Sequence, residues 1–170
     1  MLMIKVGAAL LFVLSLSLAN VAQLQPGSLC QRDEKIVFSC AVGKQAKLVS
    51  LCSSKELTKD KGYLRYRFGL PGKIELEYPK EQKLAREAFK YTHYFRYQVD
   101  YTTISFKLDG HEYMVSDDYN GEEKPVHSSH ELTVTPPNGK EVTLKCRGRA
   151  KAQYGDLPDA FPDHPDFPGR

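Results

Sequence analysis

The sequence predicts an all-β domain, a single antiparallel β-sandwich or flattened β-barrel of about eight strands with one short helix. Three observations lead there. Between residues 35 and 147 short runs alternate apolar and polar side chains at a period of two, the pattern of a strand with one buried face. These runs are separated by turn chemistry such as Gly43-Lys44-Gln45, Asp109-Gly110 and Asn138-Gly139. Only 80–90, with Leu84, Ala85, Ala88 and Phe89, spaces its apolar residues as a helix does.

In chain order, residues 1–22 place Lys5 before the apolar run from Val6 to Leu18, followed by small residues. This is the layout of a secretory signal peptide, with cleavage expected after Ala19 or Ala22. The apolar run is short of the about 20 residues a spanning helix needs. Gly27-Ser28-Leu29 before Cys30 lacks the small residue next to the cysteine that lipoprotein processing uses. An exported protein, periplasmic or secreted and without a membrane anchor, is expected.

The next 129 residues, 23–151, should form the β domain. Its strands are expected at 35–42, 46–52, 63–68, 74–78, 91–98, 102–108, 111–115, 131–135 and 140–147. Arg65 and Arg67 should face Glu75 and Glu77 across a hairpin, forming a solvated outer face. From 152 to 170 a proline- and aspartate-rich tail follows, expected to be disordered or draped on the surface.

The chain has 24 basic and 21 acidic residues, a net charge of +3. So mild and dispersed a charge argues against nucleic acid, whose binders show a basic stripe and a higher isoelectric point than 8.6. Four cysteines, Cys30, Cys40, Cys52 and Cys146, in an exported chain imply disulfides. Three pairings are open. Cys40 and Cys146 both fall on apolar strand faces, so they could join the first strand to the last and leave Cys30 to Cys52.

No catalytic residue, metal site or cofactor is expected. The sequence has no Gly-x-Ser-x-Gly elbow and no phosphate-cradling glycine loop. His127 and His130, beside Glu131, are spaced for a helical metal site, but positions three apart on a strand face opposite sides. The long connection 116–129 draws attention instead, because ordinary connections are about 4–6 residues. It gathers Asp117, Asp118, Glu122 and Glu123 around Tyr119, an amphipathic contact residue.

The motif Tyr113-x-Val115-Ser116-x-x-Tyr119 in an exported, disulfide-braced β chain resembles the bacterial periplasmic lysozyme inhibitors, particularly those acting on invertebrate-type lysozyme. In that family a serine and a tyrosine three apart sit on a protruding loop that enters the lysozyme cleft, which the resemblance assigns to Ser116 and Tyr119. Related inhibitors of c-type lysozyme place cysteines in an early and the last strand, as Cys40 and Cys146 stand here. Asp117 departs from the glycine expected after the serine.

The resemblance implies that Ser116 and Tyr119 hydroxyls would donate to the paired carboxyl groups of a glycosidase. The loop acids Asp117, Asp118, Glu122 and Glu123 would speed encounter with a basic lysozyme. A protein partner, or a second copy of the chain, is therefore expected. The alternative is an exported structural or surface-interaction module that meets its partner through Tyr91, Tyr94, Tyr97, Tyr101 and the acidic tail.

Overall fold

Alternating β-branched and aromatic residues give each strand one face to bury, and nine of them share one sheet in the computed structural model. It describes residues 24–162; the expected signal peptide and the last eight tail residues, 163–170, lie outside the described residues. The strands are β1 (Lys35–Val42), β2 (Lys47–Ser53), β3 (Leu64–Leu70), β4 (Lys73–Tyr78), β5 (Lys90–Arg96), β6 (Val99–Leu108), β7 (His111–Asn120), β8 (His127–Thr135) and β9 (Val142–Ala152). Single-turn helices α1 (Ala85–Ala88) and α2 (Leu157–Ala160) complete the elements.

The sheet order is β4-β3-β2-β1-β9-β8-β7-β6-β5, antiparallel throughout. The expected all-β antiparallel architecture forms, as one sheet curled into a half-barrel. Two meanders, β1–β4 and β5–β9, pair as strands only along the β1/β9 seam. Turn residues set the hairpins locally: Asp109 and Gly110 both adopt positive φ, 50° and 76°, as a type I′ turn requires.

The concave face holds the core, including Phe38, Val49, Leu51, Leu64, Tyr66, Ile104 and Val115. Across the opening, Phe106 stacks on Tyr78 at 4.5 Å and on Tyr113 at 4.8 Å, and meets Phe89 edge-on at 5.4 Å. These rings bridge the β4 end of the sheet to its β5–β6 end. Each such pair contributes roughly 0.5–1.5 kcal/mol beyond its buried area.

The expected helix over 80–90 shrinks to Ala85–Ala88. Phe89 turns extended to reach Tyr78, and Lys90 at once pairs with Ser105, so one turn is all the chain can spare.

The convex face of β1–β3 is covered by residues 24–34. Leu29 N donates to Ser50 Oγ at 3.0 Å, and Ser39 Oγ donates to the Gly27 carbonyl at 3.0 Å. The cysteines pair as Cys30–Cys52 and Cys40–Cys146. Beneath this strap the expectation of a solvated Arg65/Arg67 face fails for Arg67, which is 1% exposed. Its guanidinium forks onto Glu34 at 2.6 and 3.1 Å and reaches Glu77 at 2.7 Å.

The described part of the tail, 152–162, also departs from expectation. β9 runs to Ala152, and Leu157, Ala160 and Phe161 are buried, with Phe161 5.6 Å from Tyr91. Apolar residues at i, i+3 and i+4 make one face even in a single turn. Pro158 sits in the first turn, where a missing N–H costs little. The half-barrel lacks filling of its own at that point, and the segment 153–162 supplies it.

Candidate functional site

The predicted loop 116–129 is mostly strand. β7 and β8 stay paired through Ser116↔Glu131, Asp117↔His130, Asp118↔Ser129, Tyr119↔Ser128 and Asn120↔His127, leaving 121–126 as the connection. Ladder hydrogen bonds outweigh the low strand preference of aspartate here, because each polar side chain still finds water or a partner. Ser116 is only 8% exposed. Three positions apart on a strand, Ser116 and Tyr119 face opposite sides of the sheet, so the structure does not bring them together.

The inward-facing residues of β5–β8 form rows across the concave face. Tyr91, Ile104, Val115 and Leu132 make an apolar row in the core. Next comes His93, Thr102, Asp117 and His130, and beyond it at the open end Phe95, Asp100, Tyr119 and Ser128.

The middle row is tied by hydrogen bonds. His93 Nε2 lies 2.9 Å from Asp100 Oδ1, and His130 Nε2 lies 3.2 Å from Asp117 Oδ1. Tyr154, from the segment after β9, donates its hydroxyl to Asp117 Oδ2 at 3.0 Å. Burial pushes the Tyr154 phenol well up, helped by the charge of Asp117. Burial, with the charge of Asp100, pushes Tyr91 up to about 12. Asp118 points to the other face, where burial raises its carboxyl above the ordinary value.

The outer row leads to an apolar rim. Phe95 is 59% exposed, Tyr97 81% and Tyr119 43%. Two connections hold it: Gly121 N donates to the Gln98 carbonyl at 2.7 Å, and Arg96 Nη2 donates to Glu122 Oε2 at 2.6 Å. That hydrogen bond lowers the Glu122 carboxyl below the usual range. Gly121 suits its place because a Cβ there would lie 2.9 Å from the Tyr119 hydroxyl. Asn120 accepts from Glu122 N and donates to Glu123, both at 3.0 Å, which orders the loop acids.

Of the sequence candidates, Tyr119, Glu122 and Glu123 therefore share this end; Asp117 belongs to its floor, and Ser116 and Asp118 lie on the other face. Tyr94 and Tyr101 stack on each other at 6.1 Å rather than joining the rim. Sequence reasoning missed Asp100, His130 and Tyr154 as partners of the site. The alternation of Tyr91, His93 and Phe95 signalled a shared face, but only strand pairing reveals what stands opposite.

His130 turns to Asp117, while His127 contacts Ser129 at 3.3 Å. The ligand atoms of Cys30, Glu34 and Cys52 lie within 4.8 Å of one another, but the two sulfurs are joined as a disulfide and offer no thiolate. No described helix is long and apolar enough to cross a membrane. Two disulfides suggest an oxidising, exported environment. Compared with family models, curated proteins and solved structures, the chain matches none of them.

Proposed function

We propose that this is an exported, non-enzymatic binding protein that seats a partner protein on the aromatic end of its half-barrel. A lysozyme is the partner to which the sequence resemblance points. One observation carries the reading: Phe95, Tyr97 and Tyr119 stay exposed together on an end whose two connections are already fastened. Aromatic side chains carried on fastened connections bury large area with few rotatable bonds to fix, and such residues dominate interface energies. Glu123 beside them would draw in a basic partner, Glu122 being already paired with Arg96. The signal peptide expected from the sequence would carry the protein to the periplasm or out of the cell.

The test is protection of a peptidoglycan substrate from c-, g- and i-type lysozymes by the purified protein. Tyr119→Ala should weaken that protection by about 2 kcal/mol in binding, the scale of an interface hot spot. Undiminished lysis by all three enzymes at excess protein rejects lysozyme as the partner. A second reading, an interaction module without an enzyme target, is favoured by the burial of Ser116, which removes half of the serine–tyrosine pair from reach. Under it, Tyr97→Ala and Phe95→Ala abolish capture of another partner while lysozyme is never bound.

A further inference from the structure

The outer face of β9 carries a feature that the aromatic rim does not use. Leu144, Cys146 and Ala150 turn inward against the core, leaving Lys145, Arg147, Arg149 and Lys151 exposed on the other side. Alternate residues of an extended strand lie about 6.6 Å apart. β9 bulges against β1 at Gly148 (φ 72°), so the row is shorter than the about 20 Å of an unbroken strand. The chain's net charge is only +3, yet four of its cations stand in a line. Dispersed charge, expected from composition, is thus corrected by the fold on this face.

Among the described residues little neutralises the row. Lys145 lies 3.3 Å from Glu131 but stays 78% exposed. Arg147 donates to the carbonyls of Gly43 and Lys44 at 3.2 and 3.4 Å, and Lys151 donates to that of Pro26 at 2.6 Å. Carbonyls orient these groups without cancelling their charge. Arg149 has no hydrogen bond or ion pair among the described residues.

Beside the row lies a groove of about 830 Å³ lined by Gln25, Lys35, Arg149, Lys151 and Gln153. Among the described lining residues Glu34 is the one carboxylate, buried and held by Arg67. Lys35 is paired with Asp156 at 2.5 Å, so Arg149 and Lys151 carry the groove's open charge. The β8/β9 pairing ends at Glu131↔Lys145, so β8 does not run alongside the rest of the row.

We propose that the outer face of β9 and this groove bind a linear acidic polysaccharide. Cations in a line suit a chain with regularly spaced carboxylates or sulfates, for which arginine offers a planar, two-pronged donor. Glutamine amides in the groove suit the hydroxyls between the charges. The exposed rings Phe95 and Tyr119 lie on β5 and β7 and Tyr97 in the turn after β5, so β9 offers no platform for stacking nucleic-acid bases. Val142, at the start of β9, is its one large exposed apolar residue, too little to sink into a lipid surface.

The test uses immobilised heparin as a sulfated chain and polygalacturonate as a carboxylated one. The protein should be retained, with affinity falling linearly in log salt. Arg147→Gln with Arg149→Gln should elute earlier and lower the salt slope by about one to two. Lys80→Gln with Lys83→Gln, equal in net charge but off the row, should elute with the unaltered protein. Passage through both matrices at about 50 mM salt overturns the proposal. So does equal loss in the Lys80/Lys83 control, or tighter Arg149-dependent binding to anionic vesicles or single-stranded DNA than to either polysaccharide.

Discussion

Arg67 and Glu34 are charged, almost wholly buried, and bonded to each other twice. Burial by itself disfavours the arginine's charge, but the hydrogen bonds and charges of Glu34 and Glu77 outweigh it and hold the guanidinium protonated. Glu34 further accepts from Gln31 N at 2.7 Å and from the Tyr63 hydroxyl at 3.2 Å. A buried pair so saturated tolerates loss of one member poorly, because the other charge is stranded. Arg67→Met should therefore cost about 3–5 kcal/mol in urea unfolding, and adding Glu34→Met should recover part of it. Additive losses would show that the two residues act separately. Asp118 behaves in the opposite way. Burial lifts its carboxyl above 3.8, so the folded state holds the proton more tightly than the unfolded chain. Its contribution is favourable at low pH and is lost as pH rises through the folded value. Asp118→Asn should then stabilise the protein at pH 7 by up to about 0.5 kcal/mol. That gain should fade as the pH drops below 3.8; equal stability at pH 7 would refute it.

At the scale of elements, the segment after β9 and the strap before β1 do what no strand does. Strand faces bury one side of the sheet each, but the concave face near Tyr91 and Asp117 is filled by Tyr154, Leu157 and Phe161. Leu157 is fully buried, so Leu157→Ala should cost about 2–5 kcal/mol in thermal or urea unfolding. A segment merely draped on the surface would change stability by no more than about 0.5 kcal/mol. The same measurement thus separates a plug from a tail. The hairpin β7–β8 illustrates the converse, since its polar end extends as strand because each backbone group finds its ladder partner.

The whole molecule depends on one non-local seam. Every strand pair except β1/β9 joins neighbours in sequence, and β1/β9 spans nearly the whole domain. Closing so long a loop is slow and entropically costly, and the Cys40–Cys146 bond, 106 residues apart in sequence, fastens the seam. In the chain-entropy view, Cys40→Ala with Cys146→Ala should lower stability by about 4–5 kcal/mol, read from the denaturant midpoint. A loss below about 1 kcal/mol would mean that the unfolded chain is already compact enough to hold β1 near β9.

Much of this was legible in the residues themselves. Period-two alternation located every strand, and Asp109-Gly110 fixed a turn, because both depend on neighbours within a few positions. The facing of Cys40 and Cys146 suggested their bond for the same reason. Tertiary structure alone decided that Asp117 meets His130 and Tyr154, that Arg67 lies under the strap, and that 153–162 fills the half-barrel. It also set Ser116 and Tyr119 on opposite faces and lined four cations along β9. Those outcomes rest on burial and pairing between segments far apart in the chain, which local pattern does not encode.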